Sequence, residues 1–324
     1  MNIIIGLDTS CYTTSCAAVT TDGNVLASCR KLLPVKQGER GLRQSEAVFT
    51  HVRQLPALME ELGQYTSGHR IVAVCSSARP RDAEDSYMPV FTVGEAHGRA
   101  LAAMLGVPFF FSTHQRGHLA AAQIDSGIEE GDFLAVHLSG GTTELLAMQG
   151  NTLNLLGGTL DLHAGQLVDR CGVAMGLPFP AGPSLEQLAV QGHAQARIPV
   201  SMADRDLSCH LSGAETRVLQ WVREGTMERS DIALEVYDVL ARSVARMILA
   251  GERETGISQV LIAGGVASSK LFRQMVTARI HKKSDLHVCF GRPEYSGDNA
   301  VGAAMIGRKR YMTGGVEGDV SSSS

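Results

Sequence analysis

The chain opens with a short β-branched apolar run, Ile3 to Leu7, that stops at Asp8, and such a run predicts a buried strand. A loop of small polar residues, Thr9 to Ser15, leads into a second strand, Cys16 to Thr20. The Asp22-Gly23 turn and a third strand, Val25 to Arg30, complete a hairpin by their turn chemistry. About 130 residues later the same order returns. Phe133 to Leu138 reads as a strand, Ser139-Gly140-Gly141-Thr142-Thr143 as the loop, Glu144 to Met148 as the next strand, Gly150-Asn151 as the turn, and Thr152 to Leu156 as the third strand. Two copies of one pattern imply a duplicated α/β architecture whose two loops face one another.

Between the copies, Ser45 to Leu62 has the spacing of an amphipathic helix, Ile71 to Ser76 that of a buried strand, and Val93 to Leu105 that of a helix of small residues. Lobe I is therefore expected over 1–105 and lobe II over 106–298. Further helices are predicted near 161–175, 211–223, 231–254 and 268–281, with a buried strand, Gln259 to Ala263, running into Gly264-Gly265. The Ala- and Gly-rich segment 299–311 reads as a helix able to pack closely, back onto lobe I, and 313–324 as a frayed tail.

Composition narrows the class. Apolar residues make up 44% and charged residues 19% of 324 residues, which excludes disordered, collagen-like and coiled-coil chains. A net charge of −4 advertises no nucleic-acid partner globally, so a basic groove would have to be local; Arg40, Arg43, Arg79 and Arg81 are its candidates, within charged runs (Glu39 to His51; Arg79 to Asp85) that otherwise read as solvated surface. Seven scattered cysteines without a CxxC pair indicate neither a disulfide framework nor a zinc knuckle and fit a reducing cytosol. The first residues lack a basic n-region and no run of about 18 apolar residues occurs, so neither export nor a membrane span is expected.

Three segments carry candidate chemistry. The Ser139–Thr143 loop follows a strand, where glycines let backbone N–H groups turn towards an anion; alone it is equally a tight turn, but with Asp8-Thr9-Ser10 and Gly264-Gly265 it points to a nucleotide cleft. His114 and His118 stand at i and i+4, one face of a helix, either as the start of a metal site or as polar residues on a half-exposed face. Gln115 stands where a zinc protease needs its Glu, which sets proteolysis aside. Asp298 precedes the last helix as an N-cap or a third metal ligand, and Asp161 and Asp169 lie in a helix as polar-face residues, Asp169 being placed to accept ribose hydroxyls.

In order, the motifs Gly6-Leu7-Asp8-Thr9-Ser10-Cys11, His114-x-x-x-His118, Leu138-Ser139-Gly140-Gly141-Thr142-Thr143, Thr159-Leu160-Asp161, Ala164-Gly165 with Asp169, Gly176 to Pro183, Leu211-Ser212-Gly213, Gly264-Gly265-Val266-Ala267 and Asp298-Asn299-Ala300 carry a resemblance. From Gly6 to Gly307 the chain resembles the tRNA threonylcarbamoyladenosine synthase subunits, formerly labelled O-sialoglycoprotein endopeptidases or glycoproteases, as a divergent bacterial member. The resemblance implies a duplicated actin-like, sugar-kinase-like fold of two lobes with a nucleotide cleft between them. It implies that His114, His118 and Asp298 bind iron or zinc, which holds the nucleotide phosphates. The Ser139-Gly140-Gly141 loop, with Thr142 and Thr143, would cradle those phosphates, while Gly165, Asp169, Gly182, Gly264, Gly265 and Ser269 line the nucleotide. The implied ligand is ATP or a threonylcarbamoyl-adenylate made by another enzyme, attacked by the exocyclic amine of a tRNA adenosine. Implied partners are a smaller paralogous subunit, a small ATPase and tRNA, in the cytoplasm.

The chain departs from that pattern at several positions. Tyr12 and Thr13 replace an acidic pair, which leaves the catalytic residues unassigned; Arg116 replaces a Glu between the histidines, reversing a charge and favouring an anionic ligand there. Thr142 replaces a His or Asn, Ser269 an Asn expected on adenine, and Glu215 a Lys. His137 falls where some members place a Tyr ligand and is a fourth metal candidate, or a strand histidine satisfied by its neighbours. Besides the transferase, two alternatives follow: a carbamoyltransferase with another acceptor, or a non-catalytic nucleotide-binding partner.

Overall fold

A computed structural model describes residues 1–34, 42–83, 85–128, 131–193 and 198–315. The chain divides into two compact units, residues 1–121 with 297–324, and residues 122–296.

The first unit begins with β1 (Asn2–Thr9), β2 (Thr13–Thr20), β3 (Val25–Leu32), α1 (Gln44–Thr66), β4 (Arg70–Arg79), α2 (Phe91–Leu105), β5 (Phe109–Thr113) and α3 (His114–Gln123). Its five strands run in the order β3-β2-β1-β4-β5. The hairpin side is antiparallel and the β1-β4-β5 side parallel, so the run Ile3 to Leu7 is the central strand and is buried on both faces. Helix α1 covers one face through Leu55, Leu58 and Leu62.

The second unit repeats the plan. It contains β6 (Phe133–Leu138), β7 (Thr143–Gln149), β8 (Thr152–Gly158), α4 (Ala164–Ala174), α5 (Gly182–Ala189), β9 (Ser201–Ala203), β10 (Ser208–His210), α6 (Ser212–Glu224), α7 (Arg229–Thr255), β11 (Gln259–Ala263), α8 (Lys270–Ile280) and β12 (His287–Phe290). Its main sheet has the order β12-β11-β6-β7-β8, again an antiparallel hairpin on one side of the central strand and parallel strands on the other. Helix α7 is buried nearly all round and is the spine of that unit's core. The pairs β1/β6, β2/β7, β3/β8, β4/β11 and β5/β12 occupy equivalent places, which is the duplication read from the two hairpins.

The chain then returns to the first unit as α9 (Val301–Met312). This helix can lie on the sheet because glycines remove side chains at the crossings. A Cβ on Gly6 would fall 2.3 Å from the Ala300 carbonyl oxygen, and one on Gly307 would fall 2.7 Å from the Cys75 Cβ.

The first unit extends past the boundary expected at 105, to Ala121, because β5 pairs in parallel with β4 and α3 follows it directly. The motif 176–183 leads into α5, a helix that its prolines had concealed; Pro183 occupies its first turn, where a missing N–H costs nothing. Arg40, Glu39, Glu84 and 316–324 of the expected tail lie outside the described residues. All seven cysteines are thiols. Among the described residues no helix is long and apolar enough to cross a membrane.

Candidate functional site

In the first unit the i, i+4 spacing of α3 stacks the His114 and His118 rings edge to face, and their Nε2 atoms lie 3.0 Å apart. Asp298, just ahead of α9, completes the group: its Oδ1 lies 3.5 Å from His114 Nε2 and 3.3 Å from His118 Nε2. Asp298 reaches this point because α9 and α3 cross at two glycines. A Cβ on Gly302 would fall 1.8 Å from the Gly117 carbonyl oxygen, so no side chain fits there. Gly117 and Gly302, 185 positions apart in sequence, are thereby joined by backbone contact.

Two of the three side chains are held from behind. His114 Nδ1 donates to Asp8 Oδ2 at 2.9 Å, which turns its Nε2 towards the other two groups. The Ser10 hydroxyl donates to Asp298 Oδ2 at 2.5 Å, leaving Oδ1 for the imidazoles. Asp8 is 1% exposed and its Oδ1 has no protein partner. Burial by itself pushes the His114 pKa down, but the Asp8 charge and hydrogen bonds with Asp298 and Asp8 outweigh it and raise the value well above the ordinary range. Burial likewise pushes Asp298 up, and its bonds to both histidines and their charges hold it well below the usual carboxylate range.

Two imidazole nitrogens and a carboxylate oxygen are the donor set of zinc or ferrous iron. Bonds of about 2.0–2.1 Å in a tetrahedral site put ligand atoms roughly 3.3 Å apart, and the three edges here are 3.0, 3.3 and 3.5 Å. The residues fit a divalent metal. Among the described residues this is the group of His, Cys, Asp and Glu side chains that could hold one. His137 belongs to the second unit, on β6, where it is 6% exposed and opposite Glu144.

Arg116 does not present a free charge beside the histidines. Its Nε and Nη2 both donate to Asp82 Oδ2 at 2.5 Å, and Asp82 also accepts from the Thr113 hydroxyl. The expectation that it favours an anionic ligand is corrected accordingly: the guanidinium, on α3, is neutralised by Asp82 of the segment after β4. Of the arginines expected to mark a basic groove, Arg43 and Arg81 are exposed and Arg79 ends β4 half-buried. Tyr12 is 55% exposed, whereas Thr13 is buried and its carbonyl accepts from the Ser10 amide.

In the second unit the loops Ser139–Thr143 and Gly264-Gly265 follow the carboxyl ends of the parallel strands β6 and β11, where open α/β sheets bind ligands. The loop after β6 is closed by Ser139 N–H donating to the Thr142 carbonyl at 2.8 Å. It is pinned to the start of α4 by Gly165 N–H on the Ser139 carbonyl and Ala164 N–H on the Thr143 hydroxyl. A Cβ on Gly165 would fall 2.6 Å from the Gly140 nitrogen, which requires glycine there. Gly140 and Gly141 are exposed, and a Cβ on either meets nothing within 4 Å, so their backbone is open to an incoming anion. Gly264 follows β11 with φ +100°, and a Cβ on it would fall 2.3 Å from the Leu138 carbonyl oxygen; the turn closes against the end of β6.

Other predicted residues have structural partners. Asp169 accepts from the Ala181 amide at 2.8 Å, at the entry to α5, and the Gly182 carbonyl accepts from the Tyr237 hydroxyl. Ser269 is buried and its hydroxyl caps α8 by accepting from Phe272 N–H. Asp161 ties two motifs together rather than facing solvent on a helix. It accepts from the amides of Leu162, Leu211 and Ser212 and from the Ser212 hydroxyl. Burial is the largest single influence on its pKa and raises it, but those donors together outweigh it and bring the value down to about 2. The sequence had no signal for Asp8 as a support of His114 or for Ser10 as a support of Asp298, since these partners are distant along the chain.

Two units built on one strand order, each with a loop at the end of its central strand, define the duplicated actin-like fold of ATPases and sugar kinases. Solved structures of that class agree. HypF of T. kodakarensis is similar at TM-score 0.63 and 14% identity over 98% of this chain and 49% of its own, so the chain spans about half the length of that protein. The activator of the 2-hydroxyisocaproyl-CoA dehydratase from Clostridium difficile, with bound ADPNP, is similar at TM-score 0.51 and 15% identity over 96% of both chains. A ROK family glucokinase from Streptomyces griseus, with glucose and AMPPNP, is similar at TM-score 0.53 and 14% identity over 95% of this chain and 99% of its own. The family model of TsaD, tRNA N6-adenosine threonylcarbamoyltransferase, matches residues 87–306, well over half of the chain. The chain belongs to the TsaD family and has the actin-like ATPase and sugar-kinase fold.

Proposed function

We propose that the protein is a metal-dependent, adenine-nucleotide-binding threonylcarbamoyl transferase whose acceptor is a tRNA adenosine. The observation that carries this reading is the convergence of His114 Nε2, His118 Nε2 and Asp298 Oδ1 within 3.5 Å of one another in a chain of this family. His114, His118 and Asp298 would hold the ion, with His137 a further candidate; a bound zinc or iron supplies positive charge that stabilises phosphate and developing negative charge. The loop Ser139 to Thr143 is the phosphate cradle, and Gly165, Asp169, Gly182, Gly264, Gly265 and Ser269 border the nucleotide. The bound structures of similar fold, among them HypF in its phosphate- and nucleotide-bound form, support a nucleotide ligand.

In the proposed reaction the adenosine N6 attacks the carbamoyl carbon of threonylcarbamoyl-adenylate. The new C–N bond replaces the C–O bond to the phosphate, AMP leaves with that electron pair, and N6 gives up a proton. Thr13 cannot take the proton and the exposed Tyr12 is a poor base at neutral pH. This is the observation that favours a second reading, a carbamoyl transferase with another acceptor or a nucleotide-binding partner without catalysis. Working partners on the first reading are a smaller paralogous subunit, a small ATPase and tRNA, in the cytoplasm.

Mass spectrometry of nucleosides from a bacterial strain depleted of its own synthase subunit and supplied with this chain tests the reading. Restored threonylcarbamoyladenosine is expected; its absence from cells holding folded, metal-loaded protein and the cognate partner subunits moves the assignment to the second reading. His118→Ala is expected to lose stoichiometric metal, and retention of one ion per chain would overturn the ligand assignment.

A further inference from the structure

Helix α1 carries a histidine that the metal site does not use directly. His51 is fully buried, and its Nε2 lies 2.9 Å from the Ser10 carbonyl oxygen, so Nε2 bears the proton and donates it. On the other side of the ring Nδ1 lies 2.8 Å from Thr14 Oγ1, and that oxygen lies 2.7 Å from Gln54 Oε1, one turn along α1, so the single hydroxyl proton of Thr14 serves one of these two acceptors. Thr14 and Ser10 are buried as deeply as His51. On the far side, the Ser10 hydroxyl donates to Asp298 Oδ2 and so sets which carboxylate oxygen faces His114 and His118.

We propose that His51 is a positioning residue for the metal site: from helix α1 it fixes the Ser10 backbone, and Ser10 fixes the rotation of the Asp298 carboxylate. This rests on the reading of His114, His118 and Asp298 as metal ligands. The physical case is that Ser10 lies in a loop between β1 and β2, where its backbone has fewer ladder bonds than a strand residue. A buried hydrogen bond from a rigid helix removes that freedom, and a carboxylate turned by even a fraction of its arc loses the short edges to both imidazoles.

The test is a Co2+ titration of the purified full-length chain, read by chelator competition for affinity and by the visible d–d bands for coordination. Wild type is expected to bind one ion per chain. His51→Ala is expected to bind about tenfold more weakly, with altered d–d bands, and His51→Gln, whose amide can donate to the same carbonyl, to recover most of the loss. In a Ser10→Ala background the His51→Ala change is expected to cost no further affinity, since its effect passes through the lost hydroxyl. Leu55→Ala, a core truncation on the same helix, should lower the melting temperature without changing the d–d bands. If His51→Ala does not fold, Thr14→Val carries the test, with weaker Co2+ binding expected. Wild-type affinity in His51→Ala or Thr14→Val, or additive losses in the Ser10/His51 cycle, overturns the proposal while leaving the metal reading intact. Failure of wild type to bind Co2+ overturns the metal reading itself, and the proposal with it.

Discussion

Gly302→Ala isolates the feature that brings Asp298 to the histidines. In an ordinary helix interior this change stabilises by up to about 1 kcal/mol, because alanine has the higher helix propensity. Here the new Cβ would lie 1.8 Å from the Gly117 carbonyl oxygen and 2.5 Å from its carbon. Real contacts of this kind are essentially never under 3.0 Å, so α9 must retreat from α3 by at least about 1 Å, and the atoms in the way are backbone, which cannot rotate aside. Overpacking of this kind costs roughly 1–3 kcal/mol, so net destabilisation by one to a few kcal/mol is expected. The larger effect falls on the site. A retreat of about 1 Å is several times the ±0.2 Å tolerance of a metal–ligand bond, and metal affinity should fall at least about tenfold. Gly307→Ala, on the same helix, is the control: its Cβ meets the Cys75 Cβ at 2.7 Å and an Ile4 methyl at 3.0 Å, far from Asp298. It should lower stability without a matching loss of metal. Thermal unfolding and zinc competition titrations measure both quantities. A Gly302→Ala protein that is more stable than wild type, or that binds zinc with wild-type affinity, refutes the close crossing as the cause.

Gly165→Ala pushes a Cβ to 2.6 Å from the Gly140 nitrogen. It should weaken ADP binding by about tenfold or more while leaving metal stoichiometry at the wild-type value; calorimetry giving a Kd within about twofold of wild type would remove the loop's assignment. Asp161 titrates at about 2 in the folded protein against about 3.9 unfolded. Its depressed pKa contributes stability that is present above about pH 4 and is lost as pH falls towards about 2. Asp161→Asn should therefore be less stable at neutral pH and show a smaller loss between pH 4 and pH 2 in urea unfolding. An acid limb parallel to that of wild type would contradict the linkage.

Local chemistry was enough to reveal the strands, their hairpin turns and the repetition of the unit, because alternation, turn residues and β-branched runs act over a few neighbours. The His114/His118 pair was legible for the same reason: i and i+4 share a helix face in any fold. The glycine loop at 139–143 was visible as a strand-end loop, and its family motifs supplied the order that single residues lacked. Asp298 could be named from the resemblance, but its place opposite the histidines depends on Gly6 and Gly302, two positions whose only message along the chain is a missing side chain. Arg116 looked like a reversed charge until the fold brought Asp82 to it. Asp161 looked available to solvent, and tertiary contacts tied it to the start of α6; Ser269 looked available to a ligand, and the Phe272 N–H three residues on makes it the N-cap of α8. His51 read as part of a charged surface run, whereas burial against the Ser10 loop made it a support. Sequence alone thus determined the two hairpins, the central strands and most helices, the duplication and the residue types at the site, all set by near neighbours, whereas the edge strands β5 and β12 and helix α5 emerged only in the fold. Which carboxylate meets which base was decided by packing, since hydrogen bonds and ion pairs form across distances in the chain that no local pattern encodes.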